Sequence, residues 1–131
     1  MKLDKRQLKA LLKELSRIRG RHTELVTVYV PPGYNIHEVT GQIATEQGTA
    51  TNIKSKGTRK NVMAALERTA QKLKLYKQTP SNGLIIFCGN VSENDSYDDI
   101  KVWDVEPPEP INQRLYRCDS TFVLEPLQNL V

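Results

Sequence analysis

The first 76 residues carry three stripes of apolar positions at steps of three and four, which is the spacing of amphipathic helices. The first stripe predicts a helix over about residues 3 to 19, ending before Gly20. The second follows Asn35, a potential N-cap with Glu38 three positions on, and predicts a helix to about Gln47. The third predicts a helix that ends before residues 79 to 83. The stripes are Leu8, Leu11, Leu12, Leu15 and Ile18; Ile36, Val39 and Ile43; and Val62, Ala65, Leu66, Thr69, Leu73 and Tyr76.

Four apolar runs have the length and composition of β-strands: 25 to 30, 84 to 88, 100 to 105 and 115 to 118. The run LIIFC is continuously apolar, so we expect it in the middle of a sheet, with the next run antiparallel to it. A short amphipathic turn is predicted at Leu124, Leu127 and Leu130. The element order predicts one α/β domain of the α+β type over residues 1–131, a mostly antiparallel four-stranded sheet packed with helices.

Charge is distributed unevenly along the chain, although its net value is only +4. Residues 2 to 21 hold eight Lys or Arg against two acids, and residues 52 to 77 hold eight against one. Residues 92 to 109 hold seven acids against one Lys. The basic segments would attract polyanions, which makes RNA or DNA the natural partner.

Neither a membrane segment nor a metal site is predicted. No apolar run approaches the roughly 20 residues that span a bilayer, and charges interrupt the N-terminal helix, so we expect a cytoplasmic protein with no membrane partner. Cys88 and Cys118 are 30 positions apart and share no ligand spacing with His22 or His37. We therefore expect no metal and no cofactor, and we expect Cys88 to be a buried small hydrophobe.

The stretch GTATNIKS, residues 48 to 55, is close to a phosphate-binding loop. Gly48, Lys54 and Ser55 match the Walker pattern, but Ile53 stands where the second glycine belongs. Such a loop must also follow a strand, whereas this stretch follows a predicted helix. The sequence therefore argues against a nucleotide site.

The same stretch is better described as the tip of a protruding helical hairpin. The tip carries Asn52, Lys54 and Ser55. Three cations that could contact an RNA backbone follow it: Lys56, Arg59 and Lys60. From the chemistry alone, a solvated charged loop and a nucleic-acid-binding tip both remain open.

Longer stretches of the sequence resemble a known family. GTATNIKS with KGTRKNV, then LERTAQKLKLYKQTPSNGLIIFCG and YRCDSTF, resemble the N-terminal domain of the archaeal and eukaryotic class-1 peptide chain release factor. Two motifs carry the match: NIKS at residues 52 to 55, and Y-x-C-x-x-x-F at Tyr116, Cys118 and Phe122. The resemblance covers essentially the whole chain.

The resemblance implies that this domain enters the ribosomal decoding site and reads stop codons in messenger RNA. Asn52 and Lys54 would hydrogen-bond the first uridine, while Ile53 and Ser55 would shape the loop. Base edges of a single-stranded codon are accessible to such side chains.

The same resemblance assigns a pocket for the second and third purines of the codon. Tyr116, Cys118 and Phe122 would help form it, and Glu46 matches a family glutamate that faces these bases. The alternative for Phe122 is a core residue that only positions the pocket. Thr23 also belongs to this predicted codon-binding set.

One stretch departs from the eukaryotic pattern. Where eukaryotic members carry Gly-Thr-Ser after the first helix, this chain has His22, Thr23 and Glu24, so only the threonine is retained. The departure favours an archaeal member of the family.

The resemblance also implies partners and limits. The full-length factor has a middle domain with a Gly-Gly-Gln loop that promotes peptidyl-tRNA hydrolysis and a C-terminal domain that binds a translational GTPase. No GGQ occurs in the 131 residues, so we expect this chain to be the codon-reading domain alone, monomeric and not an enzyme by itself. Its expected partners are the messenger RNA, the small ribosomal subunit and its rRNA.

Two alternatives belong to other functional classes. A general RNA-binding or ribosome-rescue module related to Pelota is one, although that paralogue lacks both motifs. A small hydrolase using Cys118 or His22 is the other, but no base, nucleophile and orienting group share a motif.

The acidic segment, residues 92 to 109, raises a last expectation. Negative charge close to RNA phosphates would cost affinity, so we expect this segment to lie on a face turned away from the RNA.

Overall fold

The four predicted strands pair into one antiparallel sheet in a computed structural model that describes residues 1–94 and 96–131. The elements in chain order are α1 Lys5–Leu15, β1 Leu25–Val30, α2 Ile36–Ala50, α3 Lys56–Leu73, β2 Leu84–Asn90, β3 Ile100–Val105, β4 Leu115–Asp119 and α4 Glu125–Gln128. The strand order across the sheet is β3-β2-β1-β4. The fold class expected from the sequence is therefore confirmed.

The two central strands are buried on both faces, as their apolar sequences predict. Every residue of β1 and of β2 is buried, whereas the edge strands β3 and β4 are mostly half-buried. In the register of the sheet, Val26 lies opposite Cys88 on one side and Cys118 on the other. Cys88 is fully buried, which confirms its predicted role as a small hydrophobe, and burial raises the pKa of its thiol to about 12.

Side chains alternate across the sheet and build two separate cores. Val26 and Val28 of β1 point toward α2 and α3, whereas Leu25 and Tyr29 point toward α1. The same alternation on β4 places Tyr116 on the α2–α3 side. The face of the sheet that a residue occupies therefore decides whether it can contribute to a site beside the hairpin.

Helix α1 is shorter than its apolar stripe predicts. Asp4 is the N-cap: its side chain accepts from the Gln7 amide at 2.7 Å, and the Gln7 side chain accepts from the Asp4 amide at 2.9 Å. This capping box sets the start two residues later than expected. Beyond Ser16, the chain tightens into turns with the Ile18 amide on the Leu15 carbonyl, so the predicted end at residue 19 is wrong.

Helices α2 and α3 form the predicted hairpin on one face of the sheet. Helix α2 continues to Ala50, three residues past the predicted end at Gln47. Its Gln47 side chain donates to Glu67 of α3 at 3.2 Å. Helix α3 begins after Ser55, whose hydroxyl accepts weakly from the Thr58 amide at 3.4 Å. Residues 51–55 therefore make a short connection between two long helices.

Phe122 lies on the other face of the sheet from Tyr116 and Cys118. It is buried in the α1-side core, edge-on to Phe87 and Trp103 at ring-centroid distances of 5.4 and 5.8 Å. Of the two roles considered for Phe122, lining a pocket with Tyr116 and Cys118 is therefore wrong, and the alternative of a core residue is confirmed.

Two hydrogen bonds explain why the chain crosses to that face. The strand β4 ends at Asp119, and the next residues fold over the sheet edge. The Val123 amide donates to Thr27 Oγ1 at 3.1 Å, and the Tyr29 hydroxyl donates to the Val123 carbonyl at 2.6 Å. These bonds hold the segment against the α1 side, where Leu127 of α4 is also buried.

Phe122→Ala should lower the free energy of unfolding by about 3–5 kcal/mol, because it removes a buried ring between two aromatic neighbours. Chemical denaturation followed by circular dichroism measures the change. Leu75→Ala is the matched control, since Leu75 is 72% exposed, and it should change stability by less than about 0.5 kcal/mol. Equal stabilities for the two variants would contradict the placement of Phe122 in the core.

Candidate functional site

The tip of the hairpin presents two polar side chains without partners. Asn52 and Lys54 are exposed, and neither side chain makes a hydrogen bond or an ion pair within residues 1–94 and 96–131. The Asn52 and Ile53 amides instead donate to the Thr49 and Ala50 carbonyls at 3.1 Å each, which fixes the course of the backbone. The tip is therefore ordered by its main chain while its side chains remain available.

The three cations behind the tip differ in what they contact. Arg59 donates to the Ile53 carbonyl at 3.1 Å, so it braces the tip from inside. Lys60 pairs with Asp98 at 3.1 Å. Lys56 is exposed and has no carboxylate within 4.0 Å in the described part of the chain. Of the three, Lys56 is therefore the cation whose side chain makes no ion pair or hydrogen bond in the described part of the chain.

An open cavity of about 200 Å³ lies beside the tip, between the hairpin and the sheet. Four predicted site residues besides Ile53 meet there: Thr23, Glu46, Tyr116 and Cys118. The rest of the lining is Thr49, Ala50, Val62 and Leu66. The Glu46 carboxylate makes no hydrogen bond within the described residues, so it is free to accept from a ligand.

Tyr116 and Cys118 interact inside this cavity. They are two positions apart on β4, so they share a face, and the Tyr116 hydroxyl lies 3.0 Å from Cys118 Sγ. Burial raises the pKa of both groups, and the Glu46 carboxylate raises both further. Each group is therefore neutral near pH 7 and offers hydrogen-bonding capacity without charge.

A buried polar network beneath the cavity was not anticipated from the sequence. Glu24, Asn61 and Asn90 are each at most 7% exposed. The side-chain amide of Asn61 donates to Glu24 Oε1 at 2.9 Å, and the side-chain amide of Asn90 donates to Asn61 Oδ1 at 3.1 Å. The network joins the residue after Thr23 to helix α3 and to strand β2. Its only sequence signal is that Glu24 opens an apolar strand.

The acidic segment contacts α3. Asp98 pairs with Lys60, and this hydrogen bond is the main reason why the pKa of Asp98 is lowered. Asp104 lies 3.4 Å from Lys72 and accepts from the Tyr76 hydroxyl at 2.6 Å. The expectation that the segment is turned away from the RNA stays a prediction.

Asp95, one of the seven acids of that segment, lies outside the described residues. Among the residues that are described, no three His, Cys, Asp or Glu side chains come together in a group that could hold a metal ion. No helix in this part of the chain has both the length and the apolar character needed to cross a bilayer.

The tip and the cavity together have the features of a surface that binds single-stranded nucleic acid. The tip supplies an amide and an ammonium group, and the cavity supplies an aromatic ring, a carboxylate and an apolar floor. Unstacked bases are recognised by just such hydrogen-bonding groups and aromatic side chains.

Comparison with known proteins shows the family to which the chain belongs. Residues 3–131 match the family described as eRF1 domain 1. The chain is 60% identical over 125 residues to peptide chain release factor subunit 1 of Thermococcus kodakarensis, covering 95% of this chain and 30% of that protein. It is 43% identical over 132 residues to the protein of the same name from Methanocaldococcus jannaschii, covering 98% and 31%.

A solved structure shares the fold. The crystal structure of the archaeal translation termination factor aRF1 superimposes with a TM-score of 0.83 at 35% identity, over 95% of this chain and 34% of that one. The chain therefore belongs to the eRF1 domain 1 family, which confirms the resemblance drawn from the two motifs. It spans about 30% of the length of the curated relatives it matches.

Asn61→Ala should lower the free energy of unfolding by about 1–3 kcal/mol, because it leaves the buried Glu24 carboxylate without its side-chain donor and removes one of the two acceptors of the Asn90 side-chain amide. Urea denaturation at neutral pH measures the change. Asn112→Ala is the matched control at an exposed position and should change stability by less than about 0.5 kcal/mol. A loss at Asn61 no greater than the loss at Asn112 would mean that the network contributes nothing to stability.

Proposed function

We propose that this chain is the stop-codon recognition domain of a peptide chain release factor and acts in translation termination. The observation that carries the proposal is the meeting of Thr23, Glu46, Tyr116 and Cys118 in one cavity beside an exposed tip. Family membership supports a role in translation termination, and the geometry supports separate roles for the tip and the cavity in binding the three bases.

The tip is proposed to bind the first uridine of the codon. Uracil offers carbonyl acceptors and one ring N–H donor. The Asn52 amide can both donate and accept, and the Lys54 ammonium can donate. Because both side chains lack partners within the described residues, binding RNA would break no contact of theirs.

The cavity is proposed to receive the second and third bases. Its volume of about 200 Å³ is below that of sites for drug-sized ligands, so it would receive the hydrogen-bonding edges of the two bases rather than enclose both. The carboxylate of Glu46 can only accept, so it would select bases that present an amino or ring N–H group. The Tyr116 hydroxyl can donate or accept, which fits a base that changes from adenine to guanine.

The phosphate backbone is proposed to lie against the cations behind the tip. Lys56 can bind a phosphate directly. Lys60 would have to share its charge between a phosphate and Asp98, from which it lies 3.1 Å away. Arg59 contributes mainly by holding the tip.

The proposal extends to partners of the longer protein. The domain would work in the cytoplasm, on the small ribosomal subunit and its rRNA, and would enter as a monomeric unit. Peptidyl-tRNA hydrolysis and the binding of a translational GTPase are assigned to the remainder of the factor, so the 131 residues alone would have no catalytic activity.

Peptide release tests the proposal in a factor that carries this chain as its first domain, on ribosomes programmed with UAA, UAG, UGA or the sense codon UGG. Lys54→Ala should lower release at all three stop codons by about 5- to 150-fold, because each lost base contact costs about 1–3 kcal/mol and every stop codon begins with uridine. Tyr116→Phe should instead change the ranking among stop codons. Lys77→Ala, at the far end of the hairpin, is the matched control and should behave as wild type.

The four codons separate the candidate functions. Release confined to stop codons supports codon reading by this domain. Release that is equal on UGG, or that falls by one common factor in both variants, would favour a general RNA-binding or ribosome-rescue module related to Pelota.

A further inference from the structure

Helix α1 has a second cationic surface on the opposite side of the sheet from the hairpin. At about 100° per residue, its basic side chains occupy one sector of about 120° beside the apolar stripe. Ala10, Glu14 and Gln7 occupy the remaining sector. The members of this α1 cationic face, all exposed, are Lys5, Arg6, Lys9, Lys13 and Arg17.

The α1 cationic face has a regular geometry. Lys5, Lys9 and Lys13 stand four residues apart, so they follow one another at about 6 Å along the helix axis. Arg17 continues the row in the turn after the helix, where its amide donates to the Glu14 carbonyl at 3.2 Å. Three positive charges thus follow one inclined row on the helix, and Arg17 extends the row into the next turn.

These charges are not compensated within the described residues. The ion pairs found there involve Lys60, Lys72 and Lys101, and no member of the α1 cationic face has a carboxylate within 4.0 Å. The one nearby acid at the helix start, Asp4, is occupied as the N-cap.

The charge pattern also works against the helix itself. Lys5 stands at the first position of α1, and no acid occurs in the first turn, where the helix dipole favours negative charge. Like charges four residues apart repel one another as well. Lys13 in the last turn suits the dipole, but Lys5 and the repulsion along the row lower the stability of the helix, and an external partner of opposite charge would offset that loss.

The chemistry of the surface selects the kind of partner. Proteins that hold single-stranded nucleic acid place aromatic rings beside their cations for bases to stack on. No member of the α1 cationic face is aromatic, and the neighbouring half-buried Trp103 lines a cavity with Gln7, Ala10 and Glu14, which lie on the other polar sector of the helix. A row of cations without stacking groups among them fits the phosphates of a double helix, whose bases are already paired.

We propose that the α1 cationic face binds the phosphate backbone of double-helical RNA, independently of the hairpin tip. It rests on the proposed function only for its setting, in which ribosomal RNA supplies the duplex. The domain would then lie between two RNA elements, with the codon on the α2–α3 side of the sheet and a duplex on the α1 side.

Binding of the 131-residue chain to a labelled RNA duplex of about 16 base pairs tests this proposal. Affinity is measured between about 50 and 200 mM salt for wild type and for Lys9→Ala/Lys13→Ala. Two lost phosphate contacts should weaken binding at low salt and reduce the slope of log affinity against log salt by about 2. Alanine favours helix, so circular dichroism should find α1 intact.

Lys74→Ala/Lys77→Ala is the matched control, because it removes the same charge at the far end of α3, and its slope should equal that of wild type. An unchanged slope in the α1 variant, or an equal fall in the control, would overturn the proposal. An equal loss on a single strand of the same length would overturn the assignment to duplex, and a loss on polyglutamate alone would assign the face to an acidic protein.

The RNA duplex contains no decoding site, so its binding affinity is independent of the peptide-release assay that tests the proposed function. A factor that fails to discriminate stop codons could still show the slope change, and the reverse also holds.

Discussion

The alternation of side chains across the two buried central strands is the constraint on which the rest of this structure depends. With β1 and β2 buried on both faces, each side chain of the neighbouring strand β4 lies on the side of one of the two cores. Tyr116 and Cys118 face the hairpin, and Leu115 faces α1. A shift of one residue in the pairing of β4 would move the tyrosine and the cysteine out of the cavity.

The hairpin supplies what the sheet cannot. Its tip is held by main-chain hydrogen bonds, by the hydrogen bond from the Arg59 guanidinium to the Ile53 carbonyl and by the Ser55 cap. The side chains of Asn52 and Lys54 take no part in these contacts and stay exposed to solvent. A preorganised tip loses little conformational entropy when it meets a base.

The buried network beneath the cavity connects these two parts. Glu24 stands next to Thr23, and its bond to Asn61 fixes that loop against α3, while Asn90 extends the connection to β2. Breaking the network would therefore loosen the loop that carries Thr23 and also destabilise the core.

Much of the fold could be predicted because its signals are local. Long apolar stripes gave the helices, and short apolar runs gave the strands. The first and last residues of some helices were predicted wrongly where side-chain hydrogen bonds determine them, as the Asp4 capping box does for the start of α1. Phe122 was assigned to the pocket through the motif alone, which does not show that the strand carrying Tyr116 and Cys118 ends at Asp119, before Phe122.

The candidate site was predicted by motif rather than by physics. Tyr116, Cys118 and Glu46 were assigned through resemblance, and the structure explains the assignment by bringing them to one cavity. Glu24, Asn61 and Asn90 were missed because bonds between residues 29 or 37 positions apart leave no local pattern. The pairing of Asp98 with Lys60 was missed for the same reason.

Photo-crosslinking tests the central claim most directly. Ribosomes would carry a UAA codon in which the first uridine is replaced by a photoreactive thiouridine, and the bound factor containing this chain would be digested and mapped by mass spectrometry. A crosslink within residues 52–55 is expected, because the tip is proposed to hold that base. A crosslink confined to α1 or to the acidic segment would contradict the proposal that the hairpin tip reads the codon.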